Sequence, residues 1–205
     1  MLEAQKSGFG QVVDAAMVDG VGSLMTAVYG MYAAGIVTDD RGTNILDGGA
    51  HFYDAYETSD GRYISIASIE TKFYDELLQL AGFEDTDYAG HRDKTAWPKL
   101  GEKMAALVKT KTRDEWCEIL EGSDVCFAPV LTITEAPDHL HNVARNSFVK
   151  VDGVVHPPPA PHFSRTFSKI QKGASKPGAD TVAVLADWGF DSSSISSLQQ
   201  GKIVG

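Results

Sequence analysis

From Phe52 to Ser68, in "FYDAYETSDGRYISIAS", apolar and polar residues alternate, interrupted by Asp60-Gly61. A period of two around a short Asp-Gly break predicts a β-hairpin. The period then changes. Apolar positions recur at three- and four-residue spacing over Thr71–Leu80, Trp97–Val108 and Arg113–Leu120, which predicts three amphipathic helices. Thr112 is a natural N-cap for the third, with Glu115 completing a capping box. "CFAPVL" reads as a short strand, Asn142–Arg145 as a small helix, and Phe148–Val155 as a strand pair. "PGADTVAVLADWGF" predicts a helix stopped at Gly189, and Ser193–Gln199 a last short helix after Asp191.

Toward the start, Val12–Ala16 reads as a strand that runs into a helix lasting to about Ala34, with Gly35 as its stop. Met17, Met25, Tyr29, Met31 and Tyr32 fall at helical spacing, which makes most of them core and leaves one or two to line a ligand. A lone parallel strand needs neighbours, so the beginning looks like the end of a larger α/β domain. "HPPPAPHF" is an extended linker and a boundary, because its three consecutive prolines forbid a helix.

The chain has 205 residues and a formal net charge of −10, with 28 acids against 18 bases. Phosphate backbones need clustered Lys and Arg, so a nucleic-acid partner is disfavoured. A small anionic ligand needs only a local basic pocket and stays open. Cys117 and Cys126 fit neither a disulfide framework nor a zinc spacing, and read as reduced thiols of a cytoplasmic protein. "MLEAQKSGFG" lacks the apolar core of a secretory leader. Ala15–Val37 is the one membrane candidate; it carries Asp19 and several glycines and reads instead as a buried helix.

Little of the usual catalytic vocabulary is present. The six histidines are scattered, and His139 and His141 would point to different helix faces, so no metal site is expected. There is no G-x-S-x-G elbow, Walker loop or G-x-G-x-x-G. Two features stand out. Glu70 interrupts an apolar run where strand turns into helix, as a helix-start charge or as a proton carrier facing a ligand. "DRGTNILDGGAHFYDAYETSDG" is a polar, glycine-rich loop entering the hairpin, either a plain turn or a backbone that approaches a ligand closely.

The order and spacing of "GQVVDAAMVDG", "RGTNILDGGAHFYDAYETSDGRY", "ASIETKFY", "DEWCEILEGSDVCFAPVLTITE", "ARNSFV" and "PAPHFSRT" resemble the C-terminal part of a family III CoA-transferase. Within that group the chain is similar to the α-methylacyl-CoA racemase branch, where "ASIETKFY" carries an active-site glutamate. The resemblance implies an α/β fold: part of a Rossmann-like large domain plus a small α+β domain, in an interlocked homodimer. Residues 1–45 and 157–205 would belong to the large domain and 46–156 to the small one.

It further implies racemisation of a 2-methylacyl-CoA thioester, with CoA as part of the substrate and no separate cofactor. Glu70 would be the catalytic-site acid, and Asn44, Ile45, Leu46, Tyr53 and Ile69 would line the acyl pocket. The histidine and aspartate that move the proton in the family lie N-terminal to the matched part. The chain alone is therefore expected to be inactive, and to associate through apolar surface. A family III CoA-transferase and a non-catalytic thioester-binding or dimerising remnant are the alternatives. The compartment would be cytoplasmic, or peroxisomal or mitochondrial in a eukaryote. Two departures stand out: His51 and Thr71 occupy positions where the family usually has proline.

Overall fold

The computed structural model describes residues 1–82 and 91–205. These form a mixed helix and sheet structure in two compact units, Met1–Val130 and Leu131–Gly205. The boundaries expected from the resemblance, 45/46 and 156/157, each fall inside one unit. The proline run does lack helix and strand, yet it lies within the second unit.

In the first unit, β1 (Tyr53–Glu57), β2 (Tyr63–Ala67) and β3 (Phe127–Val130) make an antiparallel sheet in that order. The Asp60-Gly61 break sets the β1–β2 register, pairing Tyr53 with Ala67 and Glu57 with Tyr63. Gly61 takes φ of +74°, a conformation that glycine adopts without a Cβ penalty. Ile64 and Ile66, two apart on β2, turn to the same side and are buried. They meet α4 (Thr71–Ala81), α5 (Trp97–Val108) and α6 (Arg113–Leu120) through Leu77, Met104, Val108, Trp116 and Leu120.

Local signals account for these helices. On α5, Trp97, Leu100, Met104 and Val108 form one buried stripe at helical spacing. The capping box at α6 is complete: Thr112 Oγ1 accepts from the Glu115 backbone N–H, and the Glu115 carboxylate accepts from Thr112 N–H at 2.8 Å. Gly82 closes α4 in the left-handed conformation. A second cluster of Ala50, Phe52, Tyr74, Trp97 and Leu100 packs beside Ile45, Tyr53 and Ile69.

The start of the chain departs from the sequence expectation. After α1 (Leu2–Ser7), residues 9–16 form no strand. A strand needs a partner for its ladder, and none of the described residues supplies one there. The expected single helix is divided at Met25 into α2 (Met17–Leu24) and α3 (Thr26–Ala33). Neither buries a residue, so the core role expected for Met17, Met25, Tyr29 and Tyr32 is overturned; all four are exposed, whereas Met31 is half-buried. The reading of Ala15–Val37 as a buried helix fails with it. No helix among the described residues is long and apolar enough to cross a membrane.

In the second unit, a 3₁₀ turn (Ala136–Asp138) leads to α7 (Leu140–Ala144) and a hairpin of β4 (Val149–Val151) and β5 (Val154–His156). Asp152 and Gly153 both take positive φ, the turn that matches strand twist in a two-residue loop. The chain ends in α8 (Thr181–Asp187) and α9 (Ser192–Gln200). Gly189, with φ of +89°, follows the former. The Asp191 carboxylate caps the latter, accepting from Ser194 N–H at 2.7 Å.

Candidate functional site

Residues 38–49 leave α3 and return to the sheet as a tight loop. Its hub is Asp47, whose carboxylate accepts from Asn44 N–H at 2.8 Å, Asn44 Nδ2–H at 2.8 Å, Gly42 N–H at 3.2 Å and Gly49 N–H at 3.2 Å. Desolvation by the surrounding loop opposes ionisation of Asp47. The hydrogen bonds outweigh it and hold the carboxyl below its ordinary range. Asn44 then ties the loop to its own start: Nδ2 donates to Thr38 O at 3.0 Å, and Oδ1 accepts from Thr38 N–H at 2.9 Å. Gly49 sits so close that a Cβ there would lie 2.7 Å from Asn44 O, so no side chain fits without moving backbone.

This loop walls a cavity of about 360 Å³, with Val28 and Met31 of α3 on one side and Ile69 on another. Ile36, Val37, Thr38, Asn44, Ile45, Leu46 and Asp47 complete it. Four of the six site residues expected from sequence, Asn44, Ile45, Leu46 and Ile69, thus share one predominantly apolar space. Tyr53 does not line it. It starts β1 and packs behind the cavity with Ile45 and Ile69. Of the five Met and Tyr residues expected from helical spacing, Met31 is the one that lines it.

Glu70 directly follows Ile69 and is the N-cap residue of α4. Its backbone carbonyl accepts from Phe73 and Tyr74 N–H at 3.0 Å, while its side chain makes no capping hydrogen bond and is exposed. Glu70 is thus next in the chain to a lining residue, and its exposed carboxylate does not line the cavity. Burial, followed by the charges of Glu70 and Asp124, pushes the Cys126 thiol up. Burial pushes Cys117 to about 11. Both cysteines are free thiols, and neither is a thiolate nucleophile at neutral pH.

Two cations reach the cavity's rim. Arg92 Nη2 donates to Ile69 O at 3.3 Å and Lys94 Nζ to Ile36 O at 2.7 Å, both carbonyls belonging to lining residues. The sequence reading left room for a local basic pocket without naming these residues. In a chain of net charge −10 they place two cations close to the cavity, against the ionised Asp47 of its wall.

Behind the cavity lies an aromatic cluster that sequence reasoning missed. His51, noted in the sequence as a departure from the family pattern, does not line the acyl cavity. Instead it is buried, 2% exposed, with Nε2 2.9 Å from Tyr74 Oη and its ring edge-on to Phe52 and Tyr74. His91 stacks on Tyr74 at 4.4 Å. Burial, then the neighbouring His91, lowers His51 to about 4, so the ring is neutral. Burial likewise lowers His91. Neither His51 Nδ1 nor His91 Nε2 has a hydrogen-bond partner. No group of three or more His, Cys, Asp or Glu among the described residues could hold a metal ion.

The first unit is thus an antiparallel three-stranded sheet backed by three helices, with a glycine-pinned loop walling an apolar cavity. The fold is similar to that of a CaiB/BaiF family protein from Brucella suis, which shares 20% sequence identity at a TM-score of 0.68 over 91% of this chain and 50% of that one. The family model for CoA-transferase family III matches residues 1–181, and the chain belongs to that family. It is 39% identical over 208 residues to the alpha-methylacyl-CoA racemase of Mus musculus and 34% identical over 207 residues to that of Homo sapiens. Each match takes in 100% of this chain and 54% of the relative, so the chain spans about half the length of these racemases.

Proposed function

We propose that the chain supplies the acyl-binding part of a racemase acting on 2-methylacyl-CoA thioesters. The observation that supports this most is the apolar cavity bounded by Asn44, Ile45, Leu46 and Ile69, with Glu70 the residue that follows Ile69. A branched acyl chain is apolar and suits such a wall, while the phosphates of CoA complement Arg92 and Lys94 at the rim. CoA is part of the substrate in this reading, and no separate cofactor is needed.

The chemistry is a proton exchange at one carbon. A base removes the hydrogen next to the thioester carbonyl, the electron pair moves onto the carbonyl oxygen as an enolate, and an acid returns a proton to the opposite face. In this reading the acid–base pair belongs to the half of the family outside the matched region. Glu70 then orients the histidine of the pair and favours its charged form, because a carboxylate beside an imidazole raises its pKa. The large- and small-domain division at 45/46 and 156/157, and the interlocked homodimer, belong to this reading.

The experiment uses the chain co-expressed with the complementary upstream half of the mouse relative, incubated with 2-methyldecanoyl-CoA in deuterated water. Deuterium should enter at C2 without an acceptor acid, and Glu70→Gln should lower the rate by about 10²-fold and shift the acid limb of the pH profile downward. Incorporation of CoA into an added acid, without C2 deuteration, would identify a CoA-transferase instead. No deuteration and no transfer would reject catalysis.

A further inference from the structure

Asn44 was expected to contact substrate, yet its side chain is occupied within the loop. Both Nδ2 hydrogens are used, one on Thr38 O and one on the Asp47 carboxylate, and Oδ1 already accepts from Thr38 N–H. Asp47 likewise directs its oxygens at Asn44, Gly42 and Gly49 of the same loop. What the loop offers the cavity between these anchors is Ile45 and Leu46. We propose that Asn44 and Asp47 form a clasp, a pair of positioning residues that holds the Ile45–Leu46 wall in one shape and so determines which acyl chains the cavity admits. The acyl part of this statement rests on the thioester reading above; the clasp itself does not.

Three features make the clasp more than a surface turn. Hydrogen bonds to an ionised carboxylate are stronger than neutral ones, and Asp47 gathers four N–H donors. Two of those donors are glycine amides, and Gly42 and Gly48 take φ of +73° and +87°, so the backbone path is one that few sequences can follow. Gly49 approaches the Asn44 backbone closely enough to exclude a Cβ. The clasp also spans the entrance to the loop, since Asn44 bridges to Thr38, itself a lining residue. Opening it would free Ile45 and Leu46 to move while leaving the sheet and α4–α6 in place.

The test compares the wild-type chain with Asp47→Ala, Asp47→Asn and, as an independent route to the same disruption, Gly49→Ala. Amide hydrogen exchange reports the clasp, and an uncharged n-alkanol series of increasing length probes the cavity without any thioester chemistry. Asp47→Ala should speed exchange at Gly42, Asn44 and Gly49 by about tenfold or more relative to Ile64 and Ile66 in β2. It should also flatten the dependence of alkanol affinity on length. Asp47→Asn, which keeps the shape and one acceptor oxygen, should restore part of both, and Gly49→Ala should reproduce the flattening. Unchanged exchange, faster exchange with length selectivity intact, or no alkanol binding by the wild type would each overturn the clasp. A parallel titration with 2-methyldecanoyl-CoA separates the two ideas: alkanol selectivity without thioester binding rejects the proposed function and retains the clasp.

Discussion

The surroundings of His51 make it a pH-sensitive element of the core. Its ring is neutral in the folded state at about 4, against an ordinary value of 6.5. The unfolded chain therefore binds the extra proton first as pH falls. The group costs nothing above pH 7; the penalty grows from about pH 6.5 downward and is complete below about pH 4, reaching on the order of 3 kcal/mol. His91, stacked on the shared Tyr74 and also lowered, adds to it. His51→Phe should therefore flatten the loss of stability between pH 7 and pH 5, measured by urea melts at each pH. An unchanged slope would mean that His51 does not titrate in the core. The scattered histidines gave no hint of this cluster in the sequence, because His51 and His91 meet only through the packing of Phe52, Tyr74 and Trp97.

Elements with local causes were legible in advance. The hairpin followed from its period of two and Asp60-Gly61, α5 from its apolar stripe, and α6 from Thr112 and Glu115, all of which act over a few residues. The strand expected at Val12–Ala16 and the burial expected of Met17, Tyr29 and Tyr32 failed because both need long-range partners, and apolar periodicity does not say what will cover a face. Met17 is 88% and Leu24 83% exposed, with Val18 and Val21 beside them. Such a patch favours association. The chain should sediment above its 22.1 kDa monomer mass, and Val21→Glu with Leu24→Glu should return it to monomer. A wild-type monomer at every concentration would show that this face needs no cover.

For the molecule as a whole, family membership and site legibility come from different sources. The loop "RGTNILDGGAHFY" and the acid of "ASIETKFY" marked where the cavity forms, since both lie next to glycine-dependent or helix-start geometry that sequence can record. The division of labour inside the loop was not legible. That the Asn44 side chain is spent on Thr38 and Asp47 while Ile45 and Leu46 face the space depends on hydrogen-bond directions fixed only in three dimensions. Arg92 and Lys94 reach the rim from a segment more than twenty residues away from Ile69, or further for Ile36. The central claim is that this cavity receives the acyl end of a CoA thioester. Methyl NMR of the chain titrated with 2-methyldecanoyl-CoA tests it most directly. Saturable shifts concentrated at Val28, Ile36, Ile45, Leu46 and Ile69, absent with CoA alone, are the predicted result; shifts confined to the second unit, or none, would contradict it.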